Sequence, residues 1–175
     1  IFLLWNTIER TDFGERTPVT TATLPAELQK DIAAIAIDSD VDFDMYVEKF
    51  YRDALAMEII LVRPKTTIIK LAPLNQVKRL SHFHGVSFGA NDDERIEIYI
   101  DSISWEKFNK PMRYVLMYHE LAHDLLNLKD LDYAELNGEK QLMFPGLSSL
   151  FANFTMDEFI ESYQKVFTEY KLKNP

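Results

Sequence analysis

Residues 110–126 restrict what this chain can become more than any other segment. Asn109 and Lys110 lead into Pro111, and a proline in a first helical turn costs nothing, because its missing N–H would have had no partner there. Met112, Val115, Leu116, Met117, Leu121 and Leu125 then spread apolar side chains over every side of a helix expected to run to about Leu126. A helix of that kind is normally buried. Yet the same segment reads His119-Glu120-Leu121-Ala122-His123. Polar groups taken into an interior without partners cost several kcal/mol, so the fold has to supply partners for all three.

The spacing suggests one. Positions i and i+4 of an α-helix lie ~40° apart around the axis, so both imidazoles project from one face. Two neutral ring nitrogens so placed can reach a single metal ion at ~2.1 Å. Glu120 projects ~100° away from His119. It is poorly placed as an equal ligand and well placed to reach a water beside the ion. With four His and fourteen Glu in the chain, an HExxH match is expected by chance in fewer than about one such chain in a hundred. The alternative is a pair of core histidines with a glutamate satisfied by a neighbour, which leaves the desolvation cost to be met in some other way.

A catalytic zinc site needs a third protein ligand and an open position. After the helix the chain reads Asn127-Leu128-Lys129-Asp130-Leu131-Asp132. Asparagine tolerates the left-handed conformation that ends helices. A stop at Asn127 would turn the chain back and let a residue a few positions on face the ion. Asp130 fits that place, with Asp132 as its rival. Glu158 and Glu161, on a later helix, are the other carboxylates able to serve, although Glu158 is already accounted for as a capping residue.

The remaining sequence sets the frame. With 175 residues, 47% hydrophobic and 27% charged, the chain suits one domain with a sizeable core. The net charge of −9 and the lack of a basic run argue against nucleic acid as a partner. The absence of cysteine excludes disulfides, thiolate metal ligands and thiol catalysis. No apolar run approaches the ~20 residues of a membrane span. The first residue is Ile rather than Met, so further residues are expected upstream, where a targeting signal could lie.

Residues 1–24 read as an irregular N-terminal arm, and residues 25–175 as one domain. A helix is expected from Pro25 to about Ile37, with Leu28, Ile32, Ile35 and Ala36 on its apolar side. A second helix, or a continuation of the first, follows the acidic stretch 38–44 and carries Val47, Phe50, Tyr51 and Ala54. Residues 57–62, 66–71, 86–90 and 95–100 are candidate strands, with a hairpin turn at 91–94. Residues 102–108 read as a short helix or turn. Thr155 and Glu158 mark the start of a last helix, whose stripe is Phe159, Tyr163, Val166, Phe167 and Tyr170. His82 and His84 would share a strand face and read as ordinary surface or half-buried residues. The order of elements predicts an α/β (α+β) layer architecture.

Taken together, His119, Glu120, His123 and Asp130 resemble the metzincin zinc metallopeptidases, whose usual pattern is HExxHxxGxxH or D followed by a methionine turn. The chain is most similar to small bacterial and phage-type members with the spacing HExxHxxxGxxH. Asn127 stands at their Gly and Asp130 at their third His; an aspartate in that place occurs in a minor branch of the clan. Leu142-Met143-Phe144-Pro145 resembles the methionine turn. The resemblance implies a zincin-like fold: a twisted, mostly parallel sheet with one antiparallel edge strand, an active-site helix, a methionine turn and a C-terminal helix. It implies a catalytic zinc ion on His119, His123 and Asp130, Glu120 as general base, and Met143 as an apolar floor beneath the metal. It implies an edge strand Val86, Ser87, Phe88, Gly89 and Ala90 that binds an extended peptide or protein substrate by β-augmentation. Tyr133 is a candidate oxyanion donor, and Leu142, Phe144 and Leu147 hint at an apolar specificity pocket. The expected function is zinc-dependent endopeptidase. The rival readings are a catalytically weak or inactive zinc-binding interaction domain on the same fold, and an enzyme acting on a non-protein amide.

Overall fold

The computed structural model describes residues 26–132, 135, 138–145 and 153–175. The expected arm 1–24, the helix start at Pro25, Tyr133 and Leu147 lie outside them. Helix α1 (Ala26–Ile35) opens the described chain and buries Leu28 and Ile32, one turn apart. It stops two residues short of the expected end. Ile37 instead donates its N–H to Leu71 O at 2.7 Å, as a single antiparallel bridge. Helix α2 (Asp44–Ala56) is separate from α1 and buries Tyr46, Val47, Phe50 and Ala54.

Residues 57–62 do not form the expected strand. Glu58 takes a positive φ of 63° at the end of α2. Only Ile59 beyond it is buried, while Ile60 and Val62 face solvent. A β-branched run with no neighbouring strand to pair with stays irregular, however suitable its composition.

Strands β1 (Thr66–Ala72) and β3 (Arg95–Asp101) pair in parallel, and β2 (Gly85–Ser87) pairs antiparallel with β3. The order is β1-β3-β2, so β2 is an edge. The sheet is mixed, with one parallel and one antiparallel pairing, rather than mostly parallel. The hairpin at 91–94 is present, with Asn91 at φ 61°. Strand β2 covers less than the expected 86–90. Phe88 still donates to Glu97 O at 2.8 Å, but the chain then turns, with Asp92 N reaching Gly89 O at 3.0 Å.

Alternation along β3 divides two cores. Ile96, Ile98 and Ile100 face the large one, shared with α2, with α4 (Lys110–Leu126) and with α5 (Met156–Lys173). Tyr99 and Val86 face the smaller one, closed by Leu28 and Ile32 of α1. This is a mixed α+β arrangement with helices on both faces of a small sheet. Phe50, Tyr118, Phe159 and Phe167 interlock where α2, α4 and α5 meet, with ring centroids 4.8–5.1 Å apart. Offset and edge-on aromatic contacts of this kind add to what area burial alone gives.

The helix ends follow the sequence closely. Asp101 caps α3 (Ser102–Lys107) by accepting from Ser104 N at 2.9 Å. Asn109 caps α4 by accepting from Met112 N at 3.1 Å, with Pro111 in the first turn. Thr155 and Glu158 form a reciprocal capping box on α5. Among the described residues, no helix is long and apolar enough to cross a membrane.

Candidate metal centre

Helix α4 carries His119, Glu120 and His123 into the interior, all with 0% relative exposure. Packing against the sheet on one side and α2 and α5 on the other requires the apolar surround; the polar trio occupies what is left. The helix ends at Asn127, whose φ of 51° and ψ of 33° are left-handed. That reversal sends Leu128 back under the helix, and Asp130 arrives beside the two rings.

Each imidazole is held from behind. His119 Nδ1 lies 2.7 Å from Leu142 O, and His123 Nδ1 lies 2.5 Å from Leu128 O. A carbonyl oxygen only accepts, so both Nδ1 atoms carry the proton, which makes Nε2 the lone-pair nitrogen of each neutral ring. The two Nε2 atoms are 3.0 Å apart. Asp130 Oδ1 lies 3.1 Å from His119 Nε2 and 3.4 Å from His123 Nε2. Three electron-pair donors thus converge on one point, and backbone carbonyls orient both rings, as second-sphere groups do at metal centres. Burial, and after it the neighbouring His119, pushes the His123 ring well below the ordinary histidine pKa and keeps it neutral. Burial also raises the Asp130 carboxyl, against the pull of His119.

This donor set fits a metal ion. His119, His123 and Asp130 offer atoms that all lie within 4.8 Å of one another. Asp130 Oδ1 is buried with no hydrogen-bond partner, and a cation would meet that deficit. Two imidazoles and one carboxylate suit zinc, although they also suit other borderline divalent ions.

Glu120 lies alongside. Both of its carboxylate oxygens are buried and without a hydrogen-bond partner. Burial pushes its pKa well above the ordinary range, and the Asp130 and Asp124 carboxylates add to the rise. Strand β2 comes very close here: a Cβ on Gly85 would stand 2.5 Å from Glu120 Oε1. Only glycine lets the edge strand and this carboxylate coexist without a shift.

The rival third ligands lie elsewhere. Asp132 is exposed, and its N–H is taken by Glu135 Oε2 at 2.6 Å. Glu158 caps α5 and pairs with Lys140 at 2.7 Å. Glu161 is exposed on the same helix. Met143 is buried, and its carbonyl accepts from Leu131 N at 2.8 Å, directly after Asp130. The segment 142–143 therefore braces both His119 and the Asp130 loop through its backbone. Leu142 is buried and Phe144 half-buried.

Of the expected substrate strand 86–90, only Val86 and Ser87 are in the ladder, joined by Gly85 before them. His84–Asp101 and Phe88–Glu97 are the hydrogen-bonded pairs flanking it, so the main-chain groups of Gly85 and Ser87 point away from β3, although both residues are buried. Val86 and Phe88 turn their side chains into the rear core, and Gly89 and Ala90 belong to the turn. His82 and His84 precede the strand instead of sharing a strand face. His84 Nδ1 sits 2.5 Å from Ser104 Oγ, and burial lowers its pKa to about 4.

Sequence reasoning missed Asp124. It is 4% exposed and accepts from Gly89 N at 3.0 Å and Glu97 N at 2.9 Å. Its signal was available: a further charged residue one turn after Glu120, on a helix otherwise apolar. Compared with family models, with curated proteins and with solved structures, the chain matches none.

Proposed function

We propose that the chain is a zinc-dependent peptidase whose metal is held by His119, His123 and Asp130 and whose general base is Glu120. The observation that carries this reading is the pairing of two features on one helix. Three electron-pair donors meet at 3.0–3.4 Å, and a fully buried carboxylate without a hydrogen-bond partner stands beside them. A scaffold that only bound metal would have no use for the second feature, which costs stability.

Zinc bound there would supply Lewis acidity and lower the pKa of a water to about 7. Glu120 accepts that water's proton on a carboxylate oxygen and delivers it to the leaving amine. To act as a base Glu120 must be ionised, a state that burial disfavours and a cation bound beside it would favour. On this reading an extended peptide would add as a further strand along β2, where Gly85 and Ser87 turn their main-chain groups away from β3 but are themselves buried, so binding has to uncover them. Their neighbours Val86 and Phe88 support the strand from the rear core.

Replacing Glu120 with Gln tests the assignment. The variant should bind zinc with unchanged stoichiometry and lose about 10²–10⁴-fold in peptide hydrolysis. Retention of the wild-type rate on a mixed-peptide substrate would remove Glu120 from the mechanism. Failure of the wild-type chain to take up any divalent ion would remove the reading altogether.

A further inference from the structure

The segment after α2 has the form of a strand and no strand beside it. Past Glu58 the chain runs without a bend from Ile59 to Pro64, and Arg63 is held extended by the proline that follows it. Exposure alternates along the segment. Ile59 and Leu61 turn toward the large core, while Ile60 is 86% and Val62 76% exposed, two of the three most exposed large apolar side chains among the described residues. The N–H groups of Ile60, Leu61 and Val62 have no acceptor. Val62 O accepts from Tyr51 Oη of α2 at 3.4 Å. Successive residues of a strand turn their main-chain groups to opposite edges, so the edge of Ile60 and Val62 faces α2 and the edge of Leu61 and Arg63 faces outward. An open, apolar edge is a template for pairing with another chain.

We propose that this segment pairs with the same segment of a second copy of the chain, antiparallel about a two-fold axis at Leu61. Two-fold symmetry makes both copies present the same edge. Leu61 then faces the partner's Leu61 as a hydrogen-bonded pair, and Ile60 faces the partner's Val62 as the closer, non-hydrogen-bonded kind. The two side chains that one copy leaves in water are thereby set against each other. Charge selects the direction. Glu58 stands at one end of the segment and Arg63 at the other, so antiparallel pairing brings each acidic end beside the partner's basic end, and parallel pairing would bring like beside like. Both charges have exposed partners in their own chain, Lys171 and Glu48, and surface pairs of this kind exchange at little cost. Pro64 has no N–H with which to lengthen the ladder. So short a segment buries less than the ~800 Å² per partner of a stable complex, so the dimer is weak and forms at high concentration. The pairing is independent of the peptidase reading.

Two measurements test this. The chain has no cysteine, so single cysteines introduced at these exposed positions report pairing without background. An equal mixture of Ile60→Cys and Val62→Cys chains should form a disulfide-linked heterodimer about tenfold faster than either variant links to itself, because directly opposed side chains are within disulfide reach and diagonal ones are not. Equal rates for the mixture and the two single variants would overturn the pairing. Sedimentation of the wild type over a rising concentration series should show a reversible dimer, and Val62→Lys should weaken it by about tenfold or more through the cost of desolvating the charge. A wild type still monomeric at about 1 mM, where even an association of −4.1 kcal/mol is half formed, overturns the second copy as occupant and leaves the edge to an extended segment of another protein. A dimer that Val62→Lys leaves intact overturns it as well, since the interface then lies elsewhere.

Discussion

His119 Nδ1 and the carbonyl oxygen of Leu142 lie 2.7 Å apart, across a gap of many residues in sequence. This one bond fixes the ring's tautomer and turns its other nitrogen toward His123 and Asp130. The corresponding bond from His123 goes to Leu128, only five residues on. The centre is thus braced once locally and once from a distant segment, and each brace uses backbone that side-chain substitution cannot remove.

Metal binding should stabilise the fold measurably. At free zinc a hundred times Kd, the gain is about 2.7 kcal/mol, which for a chain of this size is about 5–11 °C in Tm. Scanning calorimetry with zinc and with a chelator should show the difference in the wild type and not in His123→Ala. An equal zinc response in that variant would place the ion elsewhere.

The metal-free protein should carry a stability penalty from Glu120 that depends on pH. Its ordinary pKa is 4.5, and burial raises it well above that in the folded chain. A group raised on folding contributes stability that is whole below its unfolded pKa and is lost as pH climbs through the folded one. Glu120→Gln does not titrate, so it should gain on the wild type as pH rises from about 4.5. Urea midpoints of the two metal-free proteins between pH 4 and 8 should diverge in that sense; parallel curves would contradict the buried, unpartnered carboxylate.

Gly85→Ala should damage the chemistry while sparing the metal. The added methyl would meet Glu120 Oε1 at 2.5 Å, and the carboxylate must yield. A displacement on the order of 1 Å costs about 10²-fold in rate. Zinc content by elemental analysis should stay at the wild-type level, and a variant with full activity would show that Glu120 has more room than its packing indicates.

The turn at Asn127 should discriminate alanine from glycine. Alanine at a φ of 51° carries a strain of about 1–2 kcal/mol that glycine avoids. Both lose the acceptor for Asn91 N–H. Asn127→Gly should therefore be more stable than Asn127→Ala by about 1 kcal/mol in equilibrium unfolding.

What the sequence revealed of this centre was local. Helix α4 could be placed because caps and proline mark its start, and Asp130 because a residue tolerant of the left-handed turn stands between it and His123. The capping box at Thr155 and Glu158 was legible for the same reason. Long-range relations were not. Residues 57–62 have strand composition, but pairing depends on a neighbour that composition does not name. The Leu142 brace depends on a backbone carbonyl, which every residue carries. The span of β2 was overestimated because its end is set by Asp124 reaching across from another element. Gly85 gave no signal beyond being a glycine before a strand, and its meaning lies in the carboxylate packed against it.

His119, His123 and Asp130 all belong to one helical turn and the short loop behind it. Little loop-closure entropy has to be overcome to bring them round an ion. A nascent chain extended as far as Leu142 already contains the three donors and both carbonyls behind the rings, while α5 is still unmade. An ion bound there would therefore be able to organise the middle of the chain during synthesis, ahead of the aromatic layer that later covers Tyr118.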